Sequence, residues 1–193
     1  MAIVGGGPAG LMAAEVLSAH GIQVDLYDSM PSVGRKFLLA GRGGLNLTHA
    51  EALPRFVSRY AAREAQLAPL IDAFTPDDLR AWAQGLGIST FVGTSQRVFP
   101  TDMKAAPLLR AWLKRLRDAG VAIHTRHRWL GWNEHGGLRI DSPEGEKTVQ
   151  ADATLLDEDQ VALGVAGVTG SWGLTEFPIA TSCTPDDPRE VLT

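Results

Sequence analysis

The sequence predicts an α/β fold in which a strand–helix–strand opening is followed by a helical insertion and a β-meander. Three observations lead there. A short apolar strand runs into a glycine-rich turn and a helix in "AIVGGGPAGLMAAEVL", helical periodicity fills residues 52–87, and residues 121–156 break into strand-like runs between tight turns.

Taken in order, Ala2 to Val4 read as a buried strand, Pro8 to Ala19 as a helix and Gln23 to Tyr27 as a second strand. Ser29 to Thr48 is glycine-rich and basic and reads as a long loop without regular structure, the kind of segment that usually carries function. Helical spacing returns at Ala52–Ala62, Ala65–Phe74 and Pro76–Leu86, followed by an extended pair, "STFVGTS" and "RVFPT". From Lys104 to Ala119, Leu109, Trp112, Leu113 and Leu116 form an apolar stripe while Arg110, Lys114 and Arg117 fall elsewhere on the wheel. Asp102 suits the start of that helix and Gly120 its stop. "VAIHTRH", "RWLGWNE", "GLRIDS" and "KTVQADATLL" then read as one sheet strand followed by a three-stranded meander. Residues 1–156 therefore form one domain with its helical insertion at about 52–87. In residues 157–193 seven acidic residues face a single base, Arg189, and this divergent tail is expected to be poorly ordered.

Bulk properties exclude several classes. The chain has 193 residues, 45% hydrophobic and 21% charged, with a formal net charge of -4, so nothing draws it as a whole to nucleic acid or an anionic membrane. The basic stretch from Arg97 to Arg128 reads as a solvated helix face and an exposed strand rather than a nucleic-acid surface. A lone cysteine, Cys183, makes no internal disulfide, and no Cys/His spacing suggests a metal site. No base precedes Arg35, and glycines, Pro8 and Glu15 interrupt the apolar N-terminus, which argues against an export signal. No stretch is long and apolar enough to span a bilayer, so a cytoplasmic location with no membrane partner is the expectation.

The opening carries the chemistry. Gly5-Gly6-Gly7-Pro8-Ala9-Gly10 fits G-x-G-x-x-G between a strand and a helix, and Asp28 closes the next strand. Gly5 permits the tight turn, Gly7 lets backbone approach a pyrophosphate, and Gly10 lets helix and strand pack closely. Unpaired amides and the dipole at the helix start favour the ligand's negative charge. Asp28 would accept hydrogen bonds from ribose hydroxyls, and an acid there disfavours a 2′-phosphate. A dinucleotide is therefore expected. The long decorated segment after Asp28, in place of an immediate helix and strand, resembles FAD-binding proteins.

Three blocks, "AIVGGGPAGLMAAEVL", "GRKFLLAGRGGLNLTH" and "RVFPTDMKAAPLLRAWLKRL", resemble bacterial FAD-dependent flavoproteins of the aminoacetone oxidase-like, or NAD(P)/FAD-dependent oxidoreductase, family over about residues 2–156. The resemblance implies a Rossmann-like FAD-binding domain with a β-meander and a helical insertion, incomplete at its C-terminus. It implies that Gly5, Gly7, Pro8, Ala9 and Gly10 wrap the pyrophosphate and that Asp28 holds the adenosine ribose. Arg35 and Lys36 would meet the phosphates, and Gly43, Gly44 and Asn46 the flavin. Trp129 lies on a strand that would offer backbone atoms to adenine, although its side chain reads better as core.

Departures matter as much. Many relatives read G-R-C-N-x-T-N in the second block, so Leu45 and His49 mark a divergent branch and no cysteine role carries over. The family's proteins are about twice as long, with a substrate domain inserted after the strand that "ADATLL" resembles; Ala162–Gly164 and Gly170–Trp172 read as a broken echo of the glycine turn found there. The expected function is FAD-dependent oxidoreduction by an N-terminal portion of such a protein, with NAD(P)H as the candidate donor, an unassigned small-molecule substrate and no assigned catalytic side chain. The alternative is a non-catalytic module that binds an adenine dinucleotide.

Overall fold

The computed structural model describes residues 1–40 and 43–156. The tail from Asp157, with its expected disorder and its glycine echo, lies outside the described residues.

A four-stranded parallel sheet forms the centre. Its strands are β1 (Ala2–Val4), β2 (Asp25–Asp28), β6 (Ala122–Thr125) and β10 (Thr154–Leu156), in the order β10-β1-β2-β6. All of β1 is buried, as expected of an inner parallel strand covered on both faces. Ile3 and Leu26 point into one core, with Leu11 and Ala14 of α1 (Pro8–Ala19) and with Leu108, Leu109, Trp112 and Leu116 of α6 (Ala105–Asp118). Ala2, Val4 and Tyr27 point the other way, into a second core closed by Trp129, Leu138 and Ile140. Those three belong to an antiparallel meander, β7 (Arg128–Trp132), β8 (Leu138–Ser142) and β9 (Gly145–Val149). Each large aliphatic side chain so buried contributes roughly 1.5–3 kcal/mol.

The insertion contains α3 (Leu53–Ser58), a 3₁₀ turn (Ala61–Arg63), α4 (Glu64–Ala73) and α5 (Pro76–Gly85). α5 starts on a capping box in which the Thr75 hydroxyl accepts from Asp78 N and Asp78 accepts from Thr75 N. A second small sheet, β3 (Thr48–His49), β4 (Thr90–Val92) and β5 (Arg97–Pro100), has the order β3-β5-β4 and is antiparallel.

The structure revises three local expectations. The segment 29–48 contains a short helix, α2 (Arg35–Ala40), and ends in β3, because "RKFLLA" supplies good helix formers between glycines. "KTVQADATLL" is two strands in different sheets: β9 completes the meander, while β10 returns to pair with β1 from Ala2↔Thr154 to Val4↔Leu156. Asp102 does not cap α6; Lys104 holds the N-cap position and its amide donates to Asp102 Oδ1 at 3.1 Å. Among the described residues no helix is long and apolar enough to cross a membrane.

Candidate functional site

At the carboxyl end of β1 the chain turns on Gly5, whose φ of +110° a residue with a side chain rarely adopts. Gly5 N donates to the Tyr27 carbonyl at 2.8 Å, which fastens the turn to the end of β2. Gly6 N donates to Asp28 Oδ2 at 2.7 Å, and Gly6 O accepts from Gly34 N at 2.7 Å. A Cβ on Gly6 would stand 2.3 Å from Val33 Cγ1 and 2.6 Å from Asp28 Oδ2, so only glycine fits between these two neighbours. A Cβ on Gly10 would stand 2.0 Å from the Gly5 carbonyl oxygen, which explains the small residue where α1 crosses its own entry.

Gly7 is the N-cap of α1, with φ -76° and ψ 179°, an extended conformation open to any residue. Backbone geometry therefore does not require glycine there. Pro8 occupies the first helical position, where its missing N–H costs nothing. Pro8 and Ala9 are exposed, and the first internal bond of the helix is donated by Leu11 N to Gly7 O at 3.0 Å. Among the described residues no side chain caps this end and no acid stands in its first turn, so the Asp28 carboxylate on the preceding Gly6 N is the one anion described beside its amides and dipole.

Asp28 is fixed at both oxygens, Oδ2 by Gly6 N and Oδ1 by Met30 N at 2.7 Å. A carboxylate offers about four lone-pair sites, so two remain for hydroxyl donors. His127 N donates to Asp28 O at 2.8 Å and Arg126 N to Met30 O at 3.0 Å, which lock the segment after β2 to the segment after β6. Burial first and the Asp25 carboxylate second hold the Tyr27 phenol above its usual range, so the ring beneath this corner stays neutral.

The structure brings Gly5, Gly6, Gly7, Gly10 and Asp28 together directly. Arg35 and Lys36 follow through the Gly34–Gly6 bond, exposed at the start of α2. Gly43, Gly44 and Asn46 belong to a different neighbourhood, leading into the small sheet. There Leu45 N donates to Met103 O at 3.0 Å, and a Cβ on Gly44 (φ +126°) would stand 2.5 Å from Met103 Cε. Asn46 is exposed. Trp129 is buried in the second core, on the opposite face of the parallel sheet from α1, and its Nε1 has no hydrogen-bond partner among the described residues.

Sequence reasoning passed over several of the residues that build this corner. Gly6 occupies an unconstrained position of the fingerprint, yet it is the most crowded of the turn. A Cβ on Gly34 would stand 2.7 Å from both Leu109 methyl carbons, so Gly34 admits α6 beneath the basic turn. Glu15, in the middle of α1, accepts from Trp82 Nε1 at 3.1 Å, from Trp112 Nε1, and from Arg115 Nη1 at 2.7 Å. The only signal in the sequence was an acid on an otherwise apolar helix.

A family model described as "HI0933-like protein Rossmann domain" matches residues 1–176. Among solved structures, a 3-ketosteroid-delta4-(5alpha)-dehydrogenase from Rhodococcus jostii RHA1 is 16% identical with a TM-score of 0.60, the match covering 80% of this chain and 44% of that one. The open conformation of a flavocytochrome c3 fumarate reductase is 18% identical with a TM-score of 0.56, covering 80% of this chain and 32% of that one. At these identities the likeness is one of fold, and the chain spans less than half the length of either protein.

Proposed function

The chain belongs to the HI0933-like Rossmann domain family, and from that premise we propose that it works as an FAD-binding oxidoreductase domain. One observation carries the reading: the Asp28 carboxylate is held by Gly6 N beside an uncapped helix start, so a diphosphate seat and a ribose acceptor would lie side by side. The residues present therefore fit the dinucleotide.

FAD is the cofactor. Its pyrophosphate would be met by Gly5, Gly7, Pro8, Ala9 and Gly10, with Arg35 and Lys36 offsetting its charge, and its ribose by Asp28. Gly43, Gly44 and Asn46 would approach the flavin, and the strand of Trp129 would offer backbone to adenine. When bound, the flavin supplies the hydride chemistry, while the protein binds, orients and excludes water. The substrate is a small molecule and NAD(P)H the proposed donor.

A second reading, a module that holds an adenine dinucleotide without chemistry, is favoured by one contrast. The tightest contacts, Gly6–Asp28 and Gly6–Gly34, serve the pyrophosphate and ribose end, whereas the residues proposed for the flavin lead into a separate small sheet. Purified protein that stays yellow through gel filtration supports the first reading; colourless protein that still takes up ADP supports the second.

Gly7→Val tests the seat. Its backbone conformation accepts valine, so the variant is expected to fold, at a cost of about 1 kcal/mol for an apolar residue at the N-cap, while its branched side chain occupies the pyrophosphate's space. Bound FAD, read as the ratio of visible to ultraviolet absorbance, is expected to fall at least tenfold. Full flavin content in that variant would remove Gly7 from the site.

A further inference from the structure

The small antiparallel sheet has two unlike faces. Phe91 of β4 stands directly opposite Phe99 of β5, and His49 of β3 opposite Arg97. Residues two apart on a strand share a face, as do residues directly opposite in the ladder, so Phe91, Phe99 and Arg97 lie on one side and Val98 and Pro100 on the other. Val98 and Pro100 are fully buried. Among the described residues the first side is open: Phe91 is 41% exposed, Phe99 half-buried and Arg97 exposed.

One end of the open side is flat and apolar. The two rings lie 5.9 Å apart with their planes 32° from parallel. Each edge of the Phe99 ring borders a glycine, since a Cβ on Gly93 would stand 3.3 Å from Cε2, and one on Gly44 3.7 Å from Cδ1 and Cε1. No side chain rises at either position, and Met103 Cε adds a further apolar group beside Gly44. Rings left uncovered in this way favour a flat partner, laid offset or edge-on.

The other end is cationic. Arg97 precedes Phe99 by two residues, roughly 7 Å along the strand. Among the described residues no acid pairs with it; Glu51, two residues past its ladder partner His49, has a side chain only 3% exposed and already accepts from Arg59 Nη2 at 2.9 Å. A guanidinium without a partner matches a carboxylate through two parallel hydrogen bonds. Size narrows the occupant further. Three short strands, side by side, offer a face of roughly 200 Å², against about 800 Å² per partner in a stable protein interface. The face suits a small molecule.

We propose that it binds a planar aromatic carboxylate, ring on Phe91 and Phe99 and acid on Arg97, and that this is the substrate class of the oxidoreductase domain. The substrate assignment rests on the flavoprotein reading, in which Gly44, beside Phe99, approaches the flavin. An aliphatic acid lacks the flat ring and a neutral arene lacks the charge, so each satisfies only one end.

Equilibrium dialysis of the full chain, with and without FAD, against benzoate, cyclohexanecarboxylate and benzamide tests the proposal. Benzoate is expected to bind with a Kd of about 1 mM or tighter, and the other two about tenfold more weakly. Arg97→Gln is expected to erase the preference for benzoate over benzamide, and Phe91→Ser the preference over cyclohexanecarboxylate; both side chains are exposed, so both variants are expected to fold. In the FAD-loaded chain benzoate is expected to shift the flavin's visible absorption with the same Kd. Absence of benzoate binding, or an Arg97→Gln variant that keeps its preference, overturns the site. Binding that leaves the flavin spectrum unmoved overturns the substrate assignment. A chain that binds benzoate yet retains no FAD sinks the flavoprotein reading, and the substrate assignment with it, while the dialysis upholds the binding face. A dimer that Phe91→Ser dissociates, with no benzoate bound, overturns the proposal in favour of an interface between copies.

Discussion

A single methyl group decides whether the opening turn can close. Gly10→Ala would place its Cβ 2.0 Å from a backbone oxygen, which no rotamer change relieves, so α1 or the turn must shift. The expected cost is about 1–3 kcal/mol, the range for overpacking, read by urea denaturation, with FAD retention falling in parallel. Gly7→Val should separate the two readouts, losing flavin far out of proportion to the about 1 kcal/mol that valine costs at an N-cap. This division was partly legible in the sequence, because the fingerprint's spacing marks Gly5, Gly7 and Gly10. It does not mark Gly6, whose constraint comes from Val33 and Asp28, more than twenty residues away and close only once the chain has folded. Trp129 shows the opposite limit: its core role was legible from its strand, whereas its unpaired Nε1 was not.

Between elements, the Glu15 carboxylate gathers indoles from α5 and α6 and a guanidinium from α6 onto the flank of α1. Trp82 and Trp112 meet edge to face with centroids 4.9 Å apart, and Phe37 of α2 meets Trp112 at 6.2 Å. Glu15→Ala would leave the indole N–H groups of buried Trp112 and half-buried Trp82, and Arg115, without their acceptor. A loss of roughly 1–3 kcal/mol is expected, measured by thermal or urea unfolding, and Glu15→Gln should recover part of it. This pin was illegible because its four residues share no local pattern. α2 was hidden by the glycines around it, six residues being too few for periodicity to show. β9 and β10 merged although the poor strand formers Gln150-Ala151-Asp152-Ala153 part them, because nothing local announces which sheet each half joins. α6 was the easiest element to read, since its buried Leu109, Trp112 and Leu116 recur at helical spacing.

Across the whole molecule, β1 is common property: Ile3 belongs to the helical core, and Ala2 and Val4 to the meander core. Neither core can open without disturbing the strand that the other needs. A single unfolding transition is therefore expected for the described residues, with amides around Leu108–Leu116 and Leu138–Ile140 exchanging at the same free energy. Separate exchange free energies would show the cores to be independent. FAD at a hundred times its dissociation constant should add about 2.7 kcal/mol to both alike. The bond from Gly34 to Gly6 has its own consequence at this scale. Two stretches of chain almost thirty residues apart are tied together before any guest arrives, so a nucleotide in the proposed seat would find its berth already built and have little chain motion to quench. Recruitment should then be quick and nearly free of slow rearrangement, with differences between guests appearing in how long each one stays.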